Sequence, residues 1–137
     1  MTQDDSAGLN NAADVFAVAI LVAQARIAAA EQNSEQSITL LTQAVAKEDQ
    51  LAYDEPADWF LPVRHLLGAA LMLAGKVADA EAVYREDLRR HPENGWALFG
   101  LAQSLKAQKR DAEARAVQQR FATAWKDADT VLTASAF

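Results

Sequence analysis

The sequence predicts an all-α chain: six helices, paired into three helix–turn–helix units. Three observations carry this. Among 137 residues, 31 Ala stand against 18 Val, Ile and Thr together, a balance that favours close-packed helices over sheet. An apolar fraction of 51%, with only 5 Gly and 3 Pro, describes a folded chain and excludes disordered, collagen-like and low-complexity classes. Finally, the chain resembles itself thirty-four residues on: Leu67, Gly68, Leu71, Gly75 and Ala80 meet Leu101, Ala102, Leu105, Lys109 and Ala114. Tyr84 and Pro92 meet Gln118 and Lys126, where the character changes.

The opening MTQDDSAGLNN is acidic and polar, the reverse of a signal peptide's basic start, and residues 1–11 are expected to be disordered. The first helix is expected over residues 12–31. Its run AADVFAVAILVAQARIAAA approaches the length of a bilayer span, but holds Asp14, Gln24 and Arg26. Charges at such depth cost about 2.5–3.5 kcal/mol each, so a buried helix in a soluble, cytoplasmic protein is expected. The second helix spans 34–50. Gln24-Ala25, Ala28, Gln32, Ser37, Leu41 and Ala44 occupy the positions of the later repeat, without a turn glycine. From Gln32 to Gly75 is 43 residues, one repeat plus nine, which places an insertion at 52–60.

The third and fourth helices are expected over 60–74 and 77–90, with Gly75 supplying the left-handed residue of the turn between them. Pro92 ends the fourth helix and Asn94 caps the fifth, which runs over 95–108 and is followed by the sixth over 111–128. Gly68 or Ala102 is expected to face Ala80 or Ala114, letting paired helices approach, while Leu67, Leu71, Leu101 and Leu105 fill the seam with Val83 and Val117. The reading is one domain over 12–129, with repeats at 18–51, 61–94 and 95–128, and a tail at 130–137.

The pattern L-G-x-x-L-x-x-x-G-x(4)-A-x(3)-Y-x(7)-P in residues 67–92 resembles the tetratricopeptide repeat family, and the resemblance extends over 61–128. The stretch 50–130 is also similar to the C-terminal portion of longer bacterial proteins of that family. The resemblance implies a right-handed superhelical solenoid whose first helices line a concave binding face. On copy one that face is Ala19, Val22, Arg26 and Ala29; on copy two Pro62, His65, Ala69 and Met72; on copy three Trp96, Phe99, Gln103 and Lys106. The expected function is a non-catalytic scaffold whose groove (Arg26, His65, Met72, Trp96, Phe99, Gln103, Lys106, with Tyr53 and Trp59 on the rim) holds a protein or peptide segment, acidic segments included. The family's carboxylate clamp is not carried over, because Val22, Leu66, Trp96 and Gly100 stand where its polar residues belong.

Other chemistries find little in the sequence. Absence of Cys removes disulfides, thiolate metal sites and a cysteine nucleophile. His65 and His91 belong to no nucleophile–base arrangement, and His91 before Pro92 suits a helix end. Asp54, Glu55 and Asp58 lack the alternation and central Gly of a calcium loop. No enzyme, cofactor or metal is therefore expected, and at net −6 no nucleic acid partner. The charge is uneven: residues 1–60 carry ten acids and two bases, residues 61–137 nine acids and eleven bases. Two rival readings remain: a small-molecule pocket near the insertion, and a homo-oligomer paired through apolar end helices. Val117, Phe121 and Trp125 form one stripe on the sixth helix; Val15, Val18 and Val22, and Phe16, Ile20 and Ile27, form two on the first. These favour a homodimer unless the tail folds back over an end.

Overall fold

The computed structural model describes residues 6–7, 10–51, 62–128 and 131–136. It is all-α apart from β1 (Ser6–Ala7) and β2 (Asn10–Asn11), which pair antiparallel over two residues each. Among the described residues six helices follow: α1 (Ala12–Ala30), α2 (Ser34–Glu48), α3 (Val63–Leu73), α4 (Val77–Arg90), α5 (Gly95–Ala107) and α6 (Asp111–Ala124). Contacts divide the chain into two compact units, one up to Val63 and one from Arg64 onward, the division falling just after the extra residues.

In the first unit, α1 packs on α2. Val18, Val22, Ala25 and Ala28 recur at helical spacing and are buried, as are Ser37, Leu41 and Ala44 on α2. The second stripe of α1 is not covered: Phe16, Ile20 and Ile27 are 54%, 56% and 59% exposed. The stripe that packs on α2 is the one formed by Val18, Val22, Ala25 and Ala28. By length and composition α1 is also apolar enough to cross a membrane, with a mean hydropathy of 1.7.

In the second unit α5 is the central element and contacts both α4 and α6. It buries Gly95, Ala97, Leu98, Gly100, Leu101, Ala102, Ser104 and Leu105, and so has apolar contacts nearly all round. The buried Ser104 hydroxyl donates to the Leu101 carbonyl at 2.8 Å, which satisfies it within its own helix. α6 ends at Ala124, four residues before the expected 128; the Trp125 amide closes the last turn onto the Phe121 carbonyl.

Three turns share one geometry. Gln32, Gly75 and Lys109 all lie in the left-handed region, with φ of 61°, 76° and 60°. The next amide in each reaches back five residues: Asn33 to the Ala28 carbonyl, Lys76 to Leu71 and Arg110 to Leu105, at 2.8, 2.9 and 3.0 Å. These are Schellman turns, which satisfy the last carbonyls of α1, α3 and α5. The positions are the ones aligned by the repeat, so a missing glycine does not change the turn. Asn33 and Asn94 cap α2 and α5, each accepting from the amide three residues on at 3.2 Å.

A non-glycine residue in this region costs about 1–2 kcal/mol, against about 0.5–1 kcal/mol of extra chain entropy for glycine. At Gly75 no atom lies within 4 Å of an added Cβ, so strain alone decides. Gly75→Ala is expected to lower stability by about 1 kcal/mol, and Lys109→Gly to raise it by up to about 1 kcal/mol. Urea midpoints of the two variants should move in opposite directions; a shift of the same sign in both would contradict the assignment.

Candidate functional site

The second unit is organised round Tyr84 on α4, whose side chain is 1% exposed. A Cβ at Gly68 on α3, or at Gly100 on α5, would collide with its ring. The spacing suggests Gly68 against Ala80, but the atoms nearest to that glycine belong to Tyr84: the small residue makes room for a ring rather than for a bare helix. Burial pushes the Tyr84 phenol up to about 12, against the opposing pull of its hydrogen bond to Ser135, so it is protonated at neutral pH.

That hydrogen bond belongs to the C-terminal tail. The Ser135 hydroxyl donates to the His65 carbonyl at 3.0 Å, so its oxygen accepts from the Tyr84 hydroxyl at 2.6 Å. Leu132 and Ser135 are buried while Val131, Thr133 and Ala134 are exposed. The tail thus folds back onto the second unit. Beside it remains a cavity of about 210 Å3 lined by Ala69, Met72 and Leu73 of α3, Tyr84, Phe99, Gly100 and Gln103 of α5, and Thr133, Ala134 and Ser135. The lining is mostly apolar, with Gln103 and the Ser135 hydroxyl as polar points.

On the other flank of α5 lies a smaller cavity of about 190 Å3, lined by Phe99, Ala102, Gln103, Lys106, Gln118 and Phe121. Above it four rings pack: Trp96 edge-on to Trp125, Phe99 tilted against Phe121, and Phe121 stacked on Trp125, all with centroids 5.7 Å apart. Gly95 leaves room for the Trp125 ring. The apolar stripe of α6 is therefore used partly within its own hairpin.

His65 lines neither cavity with its side chain. Its ring is buried, with Nε2 2.8 Å from the Asp87 carboxylate of α4, itself 2% exposed. Met72, Phe99 and Gln103 come together on one cavity, and Phe99, Gln103 and Lys106 on the other. Trp96 lies in the ring cluster, and Arg26 is exposed on α1 of the first unit. Tyr53, Trp59 and the acids Asp54, Glu55 and Asp58 lie outside the described residues. Tyr84 was legible as a repeat position. The contributions of Asp87 and Ser135 were not anticipated; an acid at 87, in register with the apolar Ala80 and Tyr84, was the available signal for one of them.

The outer face is ionic. Glu81 receives Arg85 and Arg110 at 2.7 Å and Gln108 at 2.8 Å, and Arg110 also meets Glu113 at 2.7 Å, linking α4 to the start of α6. The Gln108 hydrogen bond, then the two guanidiniums, hold the Glu81 carboxyl below its ordinary range against partial burial. Hydrogen bonds from Arg89 and Arg90 hold Glu86 down to about 2.

Consecutive helical hairpins with matching turns and an aromatic keyed between neighbours define a helical-repeat protein. Residues 71–120 match the family described as Tetratricopeptide repeat, and this stretch is similar to that family. Repeats of this family generally mediate contacts between proteins, and the fold is typically a non-enzymatic scaffold. No curated protein and no solved structure matches the chain.

Removing the Asp87 carboxylate leaves buried hydrogen-bonding groups unmatched, so Asp87→Ala is expected to destabilise by about 1–3 kcal/mol in urea titrations. A variant as stable as the parent would show the pair to be dispensable. Acid should act on the outer face. Depressed carboxyls contribute stability above their unfolded value of 4.5, and lose it as pH falls through the folded value, about 2 for Glu86. Melting temperature should therefore fall between pH 4.5 and about 2, less steeply in Glu81→Gln. The solvent-exposed Glu86 should contribute little of this slope at 0.5 M salt.

Proposed function

We propose that the chain is a non-catalytic scaffold that holds a protein or peptide segment in the groove between α3 and α5. One observation carries the reading. The groove is apolar along Ala69, Met72, Leu73 and Phe99, while the outer helix α4 presents Arg85, Glu86 and Arg89 to solvent. A concave apolar strip beside a charged outer face suits peptide recognition, and Met72 and Phe99 supply adaptable and rigid contact area respectively. Lys106, exposed on the other flank of α5, favours a segment with some negative charge where it runs on past the groove. We place the protein in the cytoplasm: Asp14 and Arg26 within α1 make a bilayer an unfavourable surrounding for that helix.

A second reading, self-association through α1, rests on the exposed stripe Phe16, Ile20 and Ile27. Sedimentation across concentration distinguishes it: Ile20→Glu should abolish a dimer while leaving groove binding intact.

Two charge insertions test the groove against a partner captured from lysate and then purified. Ala69→Glu in the cavity wall is expected to weaken binding about tenfold or more, as for residues at the centre of an interface, and Ala82→Glu on the exposed side of α4 to leave it within about twofold. Both variants must retain helix content. The reverse order of effects places the partner on the outer face.

A further inference from the structure

We propose that residues 131–136 are a displaceable occupant of the α3–α5 groove, holding the place of a partner's non-helical segment of the form Leu-x-Φ-Ser, where Φ is an apolar residue larger than Ala. The proposal rests on the peptide-binding reading of that groove and deepens it by naming the recognised chemistry.

The tail is held like a ligand. Two of its side chains anchor it: Leu132 is 8% exposed and Ser135 3%, whereas Val131, directly before Leu132, is 87% exposed. Ser135 is read by two polar groups, the Tyr84 hydroxyl at 2.6 Å and the His65 carbonyl at 3.0 Å. Both are fixed by other contacts: Tyr84 is clamped between Gly68 and Gly100, and His65 is engaged by Asp87 at 2.8 Å. The donor and acceptor are therefore preorganised for a hydroxyl arriving on a backbone that bends over residues 133–135. The pairing selects Ser or Thr over Ala, because a segment without the hydroxyl leaves the buried phenol unpartnered.

The fit is incomplete at one place. The cavity of about 210 Å3 opens beside Ala134, between Met72, Leu73 and Phe99. A methyl group leaves that apolar space unfilled, whereas a Leu or Met at the same position of an incoming segment would occupy it and gain dispersion contacts. The tail is thus a weaker version of the ligand the groove accommodates. Its covalent attachment compensates through effective concentration, in the millimolar range for a short tether. Such an occupant excludes weak segments and yields to a better-filling one.

The test uses the full chain and two fluorescent hexapeptides: residues 131–136 as they stand, and the same peptide carrying Ala134→Leu. Ser135→Glu, and independently Leu132→Asp, should expel the tail in cis. With helix content unchanged, the expelled chains are expected to bind the first peptide about tenfold or more tightly than the unaltered chain does, the cis competitor having been removed. The Ala134→Leu peptide should bind tighter still, and Ala134→Leu within the full chain should raise the melting temperature by filling the cavity. Equal binding of a peptide by altered and unaltered chains overturns the proposal while leaving the groove a binding site. Absence of binding to both expelled chains overturns the recognised pattern, and the captured partner then decides the groove on its own. Loss of helix content in both variants overturns it too, because the tail is then a fixed part of the core.

Discussion

The second unit depends on one ring. Tyr84 fills the space that Gly68 and Gly100 leave open on two different helices, so three helices are set by the same side chain. Any Cβ at either glycine must displace a ring that is almost completely buried and hydrogen-bonded at its tip. Shape and polarity thus agree: the phenyl body suits the apolar interior and the hydroxyl finds a partner at its edge. Phe in its place would keep the packing but strand the Ser135 hydroxyl's lone pair, and a smaller residue would leave a void flanked by two glycines, which cannot fill it. At the aligned position of α6 stands Gln118, exposed to solvent, and there no ring is needed.

The turns show how a repeat survives change in its letters. The same left-handed backbone appears at Gln32, Gly75 and Lys109, though only one of these residues adopts it without strain. The packing of two helices joined by a three-residue connection dictates the backbone, and the side chain tolerates it. What must be kept is the small or apolar residue on the inner face, as at Ala25, Ala28, Ala80, Leu105 and Ala114, all nearly inaccessible.

The helices and turns were therefore legible in the sequence. Their periodicity is repeated over many residues, and the ends of α2, α4 and α5 fall within two residues of expectation because caps and turn residues punctuate them. Side-chain azimuth was less legible. A stripe at i, i+3, i+7 fixes a face only to within a fraction of a turn, and His65 lies at its margin. The buried carboxylate of Asp87 draws the imidazole into the seam between α3 and α4, since an acid at that depth requires a partner. Met72, Phe99 and Gln103, nearer the middle of the stripe, line the cavity beside the tail. The tail was the least legible part. Six residues without regular structure carry no period, and their placement depends on a hydroxyl finding a phenol more than fifty positions earlier in the chain.

The ring cluster of α5 and α6 has an optical consequence. Trp96 and Trp125 meet at 82° with centroids 5.7 Å apart, close enough for their indole transitions to couple. One chromophore lies on α5 and the other caps the C-terminal end of α6, so the coupled signal exists only while that end is seated on α5. The protein carries its own gauge of that junction, and fraying of its last helix becomes visible as a loss of excitonic dichroism before the amide signal of the remaining helices declines.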